Sequence, residues 1–166
     1  MKVIFLDVDG VLAHDKTFKK SRGHERLWRF YYQIDEDCMK LLVRVILYTG
    51  AKVVVSSTWR RVDDAYHALA KSLRVHGAPD RRSTIIGKTP SLDLRNDAGL
   101  CIPSRGAEIA QWLREHPEVE RYVCIDDGYI MGHPLVHIAG GHYNGGFQEQ
   151  HAREAISKLT GGVISA

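Results

Sequence analysis

Short apolar runs and amphipathic stretches alternate along the chain. Val3-Ile4-Phe5-Leu6 is continuously apolar and ends in Asp7-Val8-Asp9-Gly10. A short run of this kind suits a strand buried on both faces, as in a parallel sheet. Between Asp35 and Tyr48, Met39, Leu42, Val43, Ile46 and Leu47 recur at helical spacing, and Gly50 is placed to end that helix. Val53-Val54-Val55 reads as a second buried strand ending in Ser56-Ser57-Thr58, followed by a helix from Trp59 to about Val75. Thr84-Ile85-Ile86-Gly87 reads as a third strand, and 88–103 as irregular. Ser104 is a candidate cap for a helix that carries Ile109, Trp112 and Leu113 inward and stops near Pro117, with Glu108 as its capping-box partner. Tyr122 to Ile125 forms a fourth strand ending in Asp126-Asp127-Gly128. Val136 to Ile138 forms a fifth, and a last helix runs from Gln148 to Leu159.

Strands alternating with helices predict an α/β fold with a mainly parallel sheet covered on both faces. A chain of 166 residues fits one such domain, spanning 1–166. Hydrophobic residues at 44% and charged residues at 26% exclude a disordered chain. No apolar run approaches the roughly 20 residues that span a bilayer, and the first residues turn acidic too early for a signal peptide. The expectation is a cytoplasmic protein with no membrane partner.

Cys38, Cys101 and Cys124 are odd in number and far apart, which argues against a disulfide framework and for reduced thiols. Nine histidines, four of them late (His133, His137, His142, His151), show no recognised metal-ligand spacing. The net charge of +3 is far from that of a strongly basic nucleic-acid binder. Lys16, Lys19, Lys20, Arg22, Arg26 and Arg29 are nevertheless crowded into one early segment, beside Trp28, Phe30, Tyr31 and Tyr32. That patch reads either as a solvated helix face or as a contact surface for a polyanion.

Ligands of open α/β sheets bind beyond the carboxyl ends of the strands. Parallel strands bring Asp7, Asp9, Ser56, Asp126 and Asp127 to that one edge. Carboxylates converging there repel one another, and a hard divalent cation relieves the repulsion; oxygen-only ligands favour Mg2+. Such a cation aligns a phosphoryl group for in-line attack. Asp can serve as the covalent nucleophile. A second Asp two residues away can protonate the leaving oxygen. The Ser56 hydroxyl and a nearby cation would bind equatorial phosphoryl oxygens.

Leu6-Asp7-Val8-Asp9-Gly10-Val11-Leu12 resembles the first motif of the haloacid dehalogenase-like (HAD) superfamily. Val53-Val54-Val55-Ser56 resembles its second motif, and Cys124-Ile125-Asp126-Asp127 its fourth. The resemblance implies a Rossmann-like three-layer sandwich, bound Mg2+ and an aspartyl-phosphate. It implies that Asp7 is nucleophile and metal ligand. Asp9 is implied as general acid/base, with its main-chain carbonyl on the metal, and Asp126 and Asp127 complete the metal site. Two aspartates in the first motif favour a phosphatase over a dehalogenase. The resemblance favours Arg105, at the start of the helix before the fourth-motif strand, as the third-motif cation, with Lys88 after the third strand as the competitor. Val55-Ser56-Ser57-Thr58-Trp59-Arg60, Thr89-Pro90 and Arg105-Gly106-Ala107-Glu108-Ile109 resemble the HAD domains of RNA-repair proteins and, more loosely, the phosphatase module of polynucleotide kinase-phosphatases. Gly10, Ser57, Arg60 and Lys88 are thereby candidate substrate-binding residues. The cap-like insertion at about 13–34 is short, and so is the later one after the third strand, so the expected site is open to an RNA or DNA end. A nucleotide or small-metabolite phosphatase is the rival enzyme. A non-catalytic nucleic-acid-binding module is the rival of another class.

Overall fold

The computed structural model describes residues 1–23, 26–92 and 104–162, with the backbone alone for residues 26–28, 81 and 82. Cys101 and residues 93–103 of the stretch expected to be irregular lie outside these. The elements are β1 (Lys2–Leu6), α1 (Asp15–Lys20), α2 (Arg26–Gln33), α3 (Glu36–Thr49), β2 (Lys52–Val55), α4 (Asp63–Val75) and α5 (Arg81–Thr84). There follow β3 (Ile85–Lys88), α6 (Arg105–Glu115), β4 (Arg121–Asp126), β5 (Leu135–His137), α7 (Gly141–Asn144) and α8 (Glu149–Thr160).

The five strands form one parallel sheet in the order β3-β2-β1-β4-β5. Alternation along each strand sends side chains to opposite faces. Ile4, Leu6, Val53, Val55, Val123 and Ile125 face one way, into a core built with α3, α4 and α8. Val3, Phe5, Val54 and Cys124 face the other way, onto Ile109 and Trp112 of α6. Helices thus cover both faces, which makes this a Rossmann-like α/β fold. The chain runs outward from β1 through β2 to β3, then returns to lay β4 against the other side of β1. That reversal is the topological switch point where such sheets bind ligands. Among the described residues no helix is long and apolar enough to cross a membrane.

Local chemistry sets the element ends. Asp35 caps α3 by accepting from the backbone N–H groups of Asp37 (2.9 Å) and Cys38 (3.1 Å), and Gly50 closes it in the left-handed region. The helix expected from Trp59 onward is interrupted. A 3₁₀ turn spans Thr58–Arg61, Val62 is extended, and α4 starts only at Asp63. The Ser57 hydroxyl accepts from Trp59 N, and both Trp59 and Arg60 turn inward. Ser104 likewise departs from expectation. It makes no side-chain cap; its hydroxyl donates to Glu108 Oε1 at 2.9 Å, while Glu108 Oε2 pairs with Arg60.

The segment 13–34 folds as α1 and α2 and is pinned where it leaves and rejoins the sheet domain. Ala13 bridges Ile34, and His14 Nε2 lies 3.1 Å from Asp35 Oδ2. Cys38 and Cys124 are buried free thiols whose pKa values burial pushes up to about 12, so both are neutral.

Candidate active site

Asp7 follows β1 directly, and its backbone N–H donates to Ile125 O of β4 at 3.0 Å. Asp126 is the last residue of β4. Adjacent parallel strands therefore carry the two acids to one rim. The carboxylates of Asp7, Asp126 and Asp127 each present an oxygen within 4.8 Å of the others. Gly10 makes this possible: its φ is +74°, and a Cβ there would collide with the Asp127 carboxylate. Gly10, expected to touch substrate, makes room for an acid. A cleft of about 470 Å³ opens over the cluster, with Arg61, Tyr129 and His142 among its walls.

Arg105, the first residue of α6, reaches into the cluster. Its Nη1 lies 3.0 Å from Asp7 Oδ1 and also donates to Asp126 Oδ2. Burial works against its charge, but the two carboxylates more than offset this and raise its pKa above the ordinary value. Lys88 is turned elsewhere. Its Nζ donates to Arg60 O at 2.9 Å and sits 4.0 Å from the centre of the Tyr66 ring. Of the two candidate cations, Arg105 is the one beside Asp7.

One arginine does not neutralise the cluster. Burial, opposed by Arg105 and reinforced by Asp126, Asp127 and Asp9, pushes the Asp7 pKa up to about 7. Burial also raises Asp126 against the pull of Arg105. An all-oxygen donor set of converging carboxylates fits a hard divalent cation, with Asp7, Asp126 and Asp127 as its holders.

Asp9 stands apart from this triad. Its Oδ1 accepts from Trp59 Nε1 at 3.0 Å, which leaves the second oxygen to the cleft. Burial raises its pKa, opposed by the Trp59 hydrogen bond and by His142. An acid placed beside Asp7 with a raised pKa is suited to carry a proton.

Ser56 and Ser57 follow β2, and both donate their backbone N–H to Leu6 O, which places them next to Asp7. The Ser56 hydroxyl is buried and has no hydrogen-bond partner among the described residues. Thr89 Oγ1 is buried and unpartnered in the same way, and a hydroxyl in this state is able to bind a group that enters beside it. Ser57 is occupied by the Trp59 N–H.

Arg60, expected on substrate, is buried and fully engaged with the protein. Its Nε donates to Thr89 O (3.1 Å) and its Nη1 to Ser56 O (2.7 Å) and Ser57 O (2.9 Å). Its Nη2 donates to Pro90 O (3.2 Å) and Glu108 Oε2 (2.8 Å). It braces the loops after β2 and β3 from beneath.

Three features of the site were not read from the sequence. Trp59, read in the sequence only as a helix start and part of a motif, orients Asp9. His142 Nε2 lies 3.6 Å from Asp127 Oδ2, and its ring stacks on Phe18 of α1 at 5.9 Å. Glycines flank it on both sides (Gly140-Gly141 and Gly145-Gly146), a signal of tight turns that could have marked the loop; a Cβ at Gly141 would collide with Gly10 O. Tyr129 is the third.

The segment 13–34 is fastened beside this rim by aromatic contacts. Phe18 meets His142, and Phe30 packs edge-on against Trp59 at 5.2 Å. Lys16, Lys19, Lys20, Arg22 and Arg29 are exposed on it.

Compared with known proteins, the chain matches over residues 3–152 the model of a family described as "HAD domain in Swiss Army Knife RNA repair proteins". No curated protein and no solved structure matches it.

Proposed function

The chain belongs to the family of HAD domains in Swiss Army Knife RNA repair proteins, and from that premise we propose that it is a Mg2+-dependent phosphomonoesterase acting through an aspartyl-phosphate on nucleic-acid ends. The observation that carries this reading is the meeting of Asp7, Asp126, Asp127 and Arg105 at the switch point of the sheet. Bound Mg2+ would be held by the three carboxylates and would neutralise charge on the phosphoryl group.

A carboxylate oxygen of Asp7 attacks phosphorus while the bond to the leaving oxygen breaks. Asp9, held by Trp59, gives its proton to that oxygen, so the product alcohol leaves neutral. Arg105 and the unpartnered Ser56 hydroxyl meet the equatorial phosphoryl oxygens, where transition-state charge is spread. Water then attacks the phosphorus of the acyl phosphate while Asp9 takes its proton, which frees Asp7 and inorganic phosphate.

The cation requirement has a signature in pH. The folded pKa of Asp7 is raised from 3.8 to about 7. Stability from this group is therefore present below pH 3.8 and lost as the pH rises through about 7. A cation binds the ionised cluster and relieves that loss. Millimolar Mg2+ is expected to raise the melting temperature more at pH 8 than at pH 5. A shift that is equal at both pH values, or larger at pH 5, removes the triad as a cation site.

The nucleic-acid substrate is supported by the open cleft and by the exposed basic residues of 13–34 fastened beside it. Purified protein with Mg2+ is expected to release phosphate from phosphorylated oligonucleotides. Replacing Lys19, Lys20 and Arg22 by Gln together is expected to weaken oligonucleotide turnover roughly tenfold at low salt and to spare glycerol phosphate. Equal loss on both substrates favours a small-metabolite phosphatase. Binding of oligonucleotide with no hydrolysis of any phosphomonoester favours a non-catalytic binding module.

A further inference from the structure

Tyr129 has a placement that the phosphoryl chemistry does not use. It lies two residues beyond Asp127 and lines the same cleft as Asp7 and Asp126. The residue is 84% exposed, so it contributes little to the core. Its ring is nevertheless positioned. It rests on the imidazole of His137, with centroids 4.1 Å apart and planes tilted by 36°. The His137 Nε2–H donates to Asp127 O at 3.0 Å, and His137 is paired in register with Asp126 across β4 and β5. The ring is thus tied through one imidazole to the segment that carries two of the clustered acids.

An aromatic ring seated on one side and open to solvent on the other is a stacking platform. The ligand that fits combines a phosphate, for Arg105 and the acid cluster, with a flat π-system a short reach away. We propose that Tyr129 is a specificity-determining residue that stacks the base of the nucleotide bearing the scissile phosphate. This rests on the phosphatase reading above and adds the recognition of a base. Stacking of this kind tolerates any base, because every base has a π-face. It acts on binding rather than on bond breaking, so its effect falls on KM and not on kcat.

The test uses the full chain with Mg2+ and two single-stranded oligoribonucleotides phosphorylated at the end the wild type hydrolyses. One carries an ordinary terminal nucleotide and the other an abasic terminal ribose. Tyr129→Ala is expected to raise KM about tenfold on the first, to leave kcat and the melting temperature unchanged, and to leave KM on the abasic substrate unchanged. Tyr129→Phe, which keeps the ring, is expected to match the wild type. The proposal is overturned if wild type treats both oligonucleotides alike, or if Tyr129→Ala matches wild type on the first. A wild type that hydrolyses glycerol phosphate and neither oligonucleotide also overturns it, while the phosphatase reading stands. A wild type that hydrolyses no phosphomonoester sinks the phosphatase reading itself.

Discussion

Asp7→Asn is expected to abolish phosphomonoester hydrolysis, by a factor of about 10⁴ or more, in a protein that still folds. The amide matches the carboxylate in size and cannot form the acyl phosphate. The side chain is buried, and desolvation has already raised its pKa to about 7. At pH 8 the wild type therefore carries a charge at this position that burial disfavours, and the amide removes it. In metal-free protein the variant's melting temperature is expected to equal or exceed that of the wild type at pH 8. Arg105 keeps Asp126 as its partner, so no cation is stranded. Phosphate release assays and thermal melts on the same preparation read both quantities. Retained turnover would take Asp7 out of the mechanism, whereas an unfolded variant would mean that the carboxylate holds the fold.

Arg60→Ala is expected to cost about 3–5 kcal/mol of stability and to lower the melting temperature by roughly 10 °C in a chain of this size. Arg60 is 6% exposed and Glu108 2%. Truncation strands that carboxylate in the interior and removes the donors to four backbone carbonyls, those of Ser56, Ser57, Thr89 and Pro90. Lysine is a poor replacement, since three ammonium donors cannot reach five acceptors arranged around a planar fork. The Arg60→Ala/Glu108→Ala double variant is expected to cost less than the sum of the single changes, because the stranded charge is then gone. Chemical denaturation of the four proteins measures the coupling. A single-variant loss below about 1 kcal/mol would be that of a surface arginine and would contradict the brace.

The contrast between these two residues shows what kind of information the chain carries locally. Asp7 was legible because its position is set by a strand end. A run buried on both faces announces itself in four residues, and parallel topology then dictates which edge its last residue reaches. The same logic placed Asp126 and Ser56. Arg60 was not legible. Five residues after a strand, an arginine reads equally as a surface residue or a phosphate ligand, and its partners Thr89, Pro90 and Glu108 lie about 30 to 50 positions away. The break after Arg61 was hidden for the same reason. The local pattern reads as helix from Trp59 onward, whereas in the fold Trp59 is bonded to Asp9 and Arg60 to Glu108 within the 3₁₀ turn.

Periodicity and strand ends, then, were enough to establish the parallel α/β sheet, its buried faces and the rim where the acids gather. Both depend on the chain's own geometry, which repeats every two or 3.6 residues. The choice of Arg105 over Lys88, the hold of Trp59 on Asp9, the inward commitment of Arg60 and the seating of Tyr129 on His137 belong to the tertiary structure. Long or flat side chains select among partners that only folding brings within reach, and no local repeat records that selection.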